Sequence, residues 1–244
     1  MTQIATLSNE AHRSLRVDGR PSAAYGDNQR FAQVIVGEFT HLVVHYPILF
    51  SKDAATGRLY CGVLLGYDKG ENLFLEEWRE GRGYRPLLLQ RAPFLTHGRY
   101  LAIDLDHPRV GVAAGEPLFT DEGRPTAYLE SIKQAVRYLD SGMRATEAFI
   151  ARLLELRLIE PIELELEFDD GSRRDGVGLY TIDAGVLGAL KDATVVELHR
   201  RGYLRLIDFM IASLKQLPML ASRKNARLLR GTETLARMQP AGHS

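Results

Sequence analysis

The segment Glu38–Asp53, EFTHLVVHYPILFSKD, constrains the fold of this chain more than any other. Phe39, Leu42, Val43 and Tyr46 recur at i, i+3, i+4 and i+7, the apolar stripe of an amphipathic helix. Pro47 disfavours the helical conformation at Tyr46 and so predicts the end of that helix. The apolar run Ile48–Ser51 then reads as a strand. A helix that is stopped and feeds a strand sets an α+β layout.

The rest of the chain extends that pattern. Residues 1–30 are polar and poor in large apolar groups, which predicts a loosely ordered arm draped over the domain. Leu59–Tyr67 and Asn72–Leu75 are apolar and separated by turn signals at Asp68-Lys69-Gly70, as expected of an antiparallel meander. Leu87–Leu89, Phe94–Leu95, Tyr100–Leu105 and Val110–Ala113 are further strand candidates. In the second half, Pro125 suits a first helical position, and Leu129, Ile132, Val136 and Leu139 repeat at helical spacing. Ser141-Gly142 predicts a break, with Thr146 capping a second helix that turns Phe149, Ile150, Leu153 and Leu154 inward. Pro161–Phe168 alternates apolar and acidic residues, and the Asp169–Ser172 turn joins it to Val177–Ile182 as a hairpin. Asp183 and Asp192 read as helix caps, Gly202 as a helix end, and Leu206–Leu217 as a helix stopped by Pro218. The expected fold is α+β, with an antiparallel strand-rich N-terminal half and a mainly helical C-terminal half containing one β-hairpin. The expected division is an arm over 1–30, a single composite domain over 31–218, and a basic helix and tail over 219–244.

Composition narrows the function classes. A chain of 244 residues is enough for one large domain. Lysine and arginine equal aspartate and glutamate in number, so no global positive field exists and no nucleic-acid partner is expected. The single cysteine, Cys61, sits in the apolar run LYCGVLL and reads as a buried, inert thiol. No stretch has the 18 or so apolar residues of a membrane span. The N-terminus lacks a basic start followed by an apolar core, so it does not read as a secretory signal, and a cytoplasmic location is expected.

Four constellations carry candidate chemistry. Glu38, His41 and His45 fall together on a helical wheel, opposite the apolar stripe. Two histidines at i, i+4 with a carboxylate suit zinc or iron, yet Leu42 stands where the zinc-protease helix carries its glutamate. A solvated polar face is the expectation; no metal and no cofactor are assigned, with these three residues as the alternative. Asp104, Asp106 and His107 end a predicted strand, where an acid–base site or loop-capping hydrogen bonds are both chemically available. Trp78, Tyr84, Arg91 and Phe94 have the composition of an interaction hot spot, and equally of a core. Arg223, Lys224, Arg227, Arg230 and Arg237, against Glu233 alone, make the C-terminal segment basic, either as a solvated helix or as a patch for an acidic partner. No nucleophile elbow, phosphate loop or dinucleotide fingerprint is present.

Several separated motifs resemble one family. EFTHLVVHYPILFSKD is followed by GENLFL at Gly70–Leu75, the Trp78 and Tyr84 pair, and APF at Ala92–Phe94. GEPLFTDEGRPTAYLES at Gly115–Ser131, GLYTID at Gly178–Asp183 and ELHRRGYLRLI at Glu197–Ile207 continue the series. Together they resemble the bacterial SapC family over nearly the whole chain, with Ala92 departing from the aromatic that often precedes the Pro-Phe pair. The resemblance implies a surface-layer locus, with neighbours that include outer-membrane receptors and oxygenase- or halogenase-like modifying enzymes. It implies a protein partner, an envelope protein or a modifying enzyme, and any link to the cell surface comes from this context alone. It implies no established catalytic residue or cofactor. An enzyme with an unrecognised, perhaps metal-assisted, site near Asp104–His107 or His41/His45 is the rival reading.

Overall fold

The computed structural model describes residues 3–98, 100–162, 165–175 and 178–238. The N-terminal segment is paired into sheets rather than loose. β1 (Ile4–Thr6) pairs antiparallel with Ala102–Asp104. The Ser8 hydroxyl accepts the Ala11 N–H and caps α1 (Asn9–His12), and β2 (Arg16–Val17) pairs with Glu116–Pro117. The composition misleads here because Val17 is fully buried, Asp27 enters buried ion pairs, and the buried Asp18 carboxylate pairs with Arg20.

β3 (Phe31–Gln33) leads through a 3-10 turn, Val36–Glu38, into α2 (Phe39–Leu42). Phe39, Leu42 and Tyr46 are buried, as the stripe predicts, and Tyr46 N–H still bonds to the Leu42 carbonyl before Pro47. β4 (Ile48–Lys52) and β5 (Leu59–Leu64) follow as an antiparallel pair. The strands expected at Asn72–Leu75 and Leu87–Leu89 are absent: the first is a turn that leads into α3 (Leu75–Arg79), and the second is the single-turn helix α4 (Leu87–Gln90). The Asn72 carboxamide accepts the Phe74 N–H and turns the chain, a local bond that competes with a ladder. Pro86 fixes the entry to α4, and the Leu87 N–H goes to a carboxylate on α2's leading turn.

β6 (Phe94–His97) and β7 (Tyr100–Asp104) form a hairpin with β1 on its outer side, and β8 (Glu116–Pro117) partners β2. Val110 makes an isolated bridge to Val17, short of the strand expected over Val110–Ala113.

α5 (Ala127–Glu155) is one helix of 29 residues, about 43 Å long, not two. Thr126 caps it, one residue after Pro125. Gly142 continues it because Ile35 crosses there: a Cβ at 142 would lie 2.2 Å from Ile35 Cδ1. Thr146 caps nothing downstream. Its hydroxyl donates to the Gly142 carbonyl and accepts the Val36 N–H, tying the 3-10 turn to the helix. The first half of α5 buries Leu129, Ile132 and Val136 in a small core with Val17, Phe94 and Ile103. Its second half buries Phe149, Ile150 and Leu153 in the large core beneath the main sheet.

The predicted hairpin exists. β9 (Ile159–Pro161) pairs with β12 (Leu179–Ile182), and β10 (Glu165–Glu167) with β11 (Arg173–Asp175), around the Asp169–Ser172 turn. Glu163, Leu164 and Val177 lie outside the described residues. The hairpin joins the main sheet, whose order is β3-β5-β4-β12-β9. Asp183 caps α6 (Ala184–Gly188), Lys191 rather than Asp192 precedes α7 (Asp192–Arg200), and Gly202 at φ 73° joins α7 to α8 (Tyr203–Ser213). Pro218 opens α9 (Gln216–Met238) instead of stopping α8, since the first helical turn has no use for its missing N–H. The tail beyond Met238, and the side chains of Glu233 and Arg237, lie outside the described residues. The fold is α+β, with antiparallel sheets mostly in the N-terminal half and helices concentrated toward the C-terminus.

Candidate functional site

Glu38, His41 and His45 do not share a polar face. Glu38 is 1% exposed. Its Oε1 accepts the Leu87 N–H at 2.8 Å and the Tyr84 hydroxyl at 3.1 Å, and its Oε2 accepts the Ile35 N–H at 3.1 Å. Burial raises its pKa, and those three hydrogen bonds oppose the rise. Its position in a 3-10 turn, with three residues per turn, rotates it inward from where an α-helical wheel puts it. His41 is exposed and stacks on Tyr84 with ring centroids 5.1 Å apart. His45 is half-buried against Tyr46. Among the described residues, no three His, Cys, Asp or Glu side chains are grouped so as to hold a metal ion.

The aromatic–arginine set divides between two places. Trp78 is buried in the large core, and its Nε1–H donates to the Tyr46 hydroxyl at 2.9 Å. That hydroxyl donates to the Tyr84 carbonyl at 2.6 Å, and burial pushes its pKa up to about 12. Tyr84 is half-exposed; its carbonyl accepts from Tyr46 while its hydroxyl donates to Glu38, so this residue joins the Trp78–Tyr46 pair to Glu38. Phe94 instead sits in the small core, and Arg91 donates to its carbonyl. Burial pulls the Arg91 pKa down.

At the end of β7, Asp104 Oδ1 accepts the Asp106 N–H, and Asp106 Oδ2 accepts the Gln3 N–H. His107 Nδ1 accepts the Arg109 N–H at 3.2 Å, which requires the tautomer protonated on Nε2. Burial, and then the Arg109 charge, lower the His107 pKa.

Three features carry no signal in the sequence. Asp27 receives Arg109 at 2.5 Å and Arg85 at 3.0 Å, and Arg109 is 0% exposed. Arg109 also donates to the Asp18 and Arg20 carbonyls and lies 4.7 Å above the Tyr25 ring. The two arginines are distant from Asp27 in sequence, so nothing local marks the triad. Second, the basic C-terminal helix is partly internal. Lys224, 6% exposed, meets Asp68 and Glu71 at 2.7 Å each, and Arg223 pairs with Glu77.

Third, a groove of about 810 Å³ opens over the main sheet between the Gly26–Arg30 and Asp68-Lys69-Gly70 loops, within the size range of ligand sites. Its floor includes Phe31, Tyr60, Leu64, Ser51 and Leu179. The register pairs Phe31 with Leu64, Tyr60 with Ser51, and Ser51 with Leu179, so these side chains share one face across four strands. Gly62 lies beneath the Phe31 ring, where a Cβ would come within 2.1 Å of Phe31 Cε1. Among the described residues, the charged members of the lining are Arg30, Lys52, Lys69 and Arg174, with neither a carboxylate nor a histidine beside them.

Fold and groove thus define an α+β protein with a basic, aromatic concavity over its main sheet. The SapC family model matches residues 7–220, and the chain belongs to the SapC family. No curated protein matches it. No solved structure matches it either. Among the described residues no helix is long and apolar enough to cross a membrane.

Proposed function

We propose that this chain is a non-enzymatic accessory protein that works by binding another protein. Its setting is that associated with the family: surface-layer or outer-membrane protein biogenesis, or support of a peptide-modifying enzyme, from the cytoplasm. One observation carries this reading. The groove over the main sheet is lined by cations and aromatics, chemistry that suits recognition, while acid–base work needs a base within reach of a reacting group. The groups that offered catalytic chemistry point elsewhere. Glu38 is occupied by three donors, and Asp104, Asp106 and His107 hold their own loop and the N-terminus.

Affinity purification of the tagged chain from its native host at native expression tests the reading. Stoichiometric recovery of an envelope protein or a modifying enzyme supports it. Recovery of neither, under conditions where the tagged chain itself is intact, rejects it.

A further inference from the structure

The groove over the main sheet has a charge bias that the whole chain lacks. The formal charge is zero, yet among the described residues four cationic residues and no carboxylate line this concavity. Arg174 is held by Asp68 at 2.7 Å. Arg30, Lys52 and Lys69 enter no ion pair among the described residues, and Arg30 and Lys69 are exposed. Lys52 follows Ser51 on β4, so its side chain leaves the opposite face of the sheet, where Nζ lies 4.7 Å from the Tyr180 ring centroid. Cations left unpaired around a concavity favour an anionic occupant.

The floor specifies more than charge. Phe31 and Tyr60 meet edge to face at 5.9 Å, and Leu64 and Leu179 complete an apolar surface. From β3 to β12 the face crosses three inter-strand steps, about 14 Å at ~4.8 Å each. An extended peptide covers that span with about four residues at ~3.3 Å each. Arg30 immediately precedes β3 at one end of the span, and Lys69 lines the groove from the loop that follows β5.

We propose that this groove binds an acidic peptide segment of a partner protein in extended form, with apolar side chains on the Phe31–Tyr60 floor and carboxylates at Arg30 and Lys69. This rests on the interaction-protein reading above and names the chemistry of the partner. A polyphosphate strand would meet the same cations but would leave the apolar floor uncovered, so the peptide accounts for both surfaces. The apolar contacts supply affinity and the rim cations supply specificity and salt dependence.

Fluorescence anisotropy with labelled Glu-Phe-Glu-Phe-Glu and Lys-Phe-Lys-Phe-Lys peptides tests it on the full chain. The acidic peptide should bind and the basic one should not, and added salt should weaken binding. Arg30→Glu with Lys69→Glu should raise the Kd at least about tenfold without moving the urea midpoint, because both positions are exposed. Tyr60→Ala should also weaken binding, and its urea midpoint separates lost contact from lost fold. Equal affinity for the two peptides, or indifference to the paired charge reversal, overturns the proposal. Binding of anionic vesicles or a single-stranded oligonucleotide in preference to the acidic peptide also overturns it. If native purification recovers a partner that the charge reversals leave in place, the groove assignment fails while the accessory reading stands.

Discussion

Glu38 accepts from Ile35 in its own turn and from Tyr84 and Leu87 in the stretch that leads into α4, and so pins that stretch to the turn before α2. Glu38→Gln replaces one acceptor oxygen with a donor that must face an N–H or compete for the tyrosine hydroxyl. Urea denaturation is expected to show a loss of about 1–3 kcal/mol, the cost of an unmatched buried polar group. An unchanged midpoint would mean that the side chain is free to turn to water. His107 makes a second expectation at this scale. Its folded pKa lies below the ordinary 6.5, through burial and then Arg109. Between the folded and ordinary values the unfolded chain binds more protons, so stability is lost as pH falls below about 6.5 and is flat with respect to this group above it. Asp104 and Asp27 face the ring and oppose the shift without reversing it. In His107→Asn the melting temperature should lose that part of its acid slope, while the Asn oxygen can still accept the Arg109 N–H. The stripe of Phe39, Leu42 and Tyr46 was legible from spacing alone, because burial of one helical face is a local pattern. The inward turn of Glu38 was not, since whether residues 36–38 wind as 3-10 or α is decided by Thr146 and Leu87, far along the chain.

Element-scale order comes from hydrogen bonds between elements more than from propensity. α5 carries a glycine that costs about 1 kcal/mol in a helix, and keeps it because Ile35 needs the space. Sequence reading broke the helix there, as the penalty is local and the compensation is not. α9 is read from composition as a solvated basic helix, yet it is held by Lys224 between Asp68 and Glu71. Burial alone would lower the Lys224 pKa, but the hydrogen bonds to Asp68 and Glu71 outweigh it and hold it raised. Lys224→Met leaves Glu71 buried without its cation, although Tyr67 and Asp68 still donate backbone N–H groups to it. The expected loss is roughly 3 kcal/mol by denaturant titration. Amide exchange along α9 should quicken first, and equal protection in the two proteins would show that the helix is held by its apolar face alone.

The whole molecule is joined along α5, whose two halves belong to different cores. One composite domain over 31–218 is therefore proposed to unfold together with the N-terminal strands that enter the small core. Leu129→Ala in the small core and Leu153→Ala in the large one, both fully buried, should each cost about 2–5 kcal/mol. Each should shift one shared transition seen by far-ultraviolet circular dichroism and by the emission of Trp78, the single tryptophan. Two separated transitions in the Leu129→Ala protein would divide the chain into independent lobes. By itself the sequence determined the apolar periodicities, hence the kinds of element, much of their order, the β-hairpin and the family. Only the tertiary structure decided that Ile4–Thr6 and Arg16–Val17 pair into sheets, that α5 runs unbroken, and that Pro218 lies in the first turn of a helix. It also decided which charges are buried and that Arg30 and Lys69 line a shared groove. The physical reason is range. Backbone preference and face polarity are set within a few residues, but a charge is buried at acceptable cost only where a partner meets it. Asp27 meets Arg85 across 58 positions and Arg109 across 82, a pairing that exists only once the chain has closed on itself.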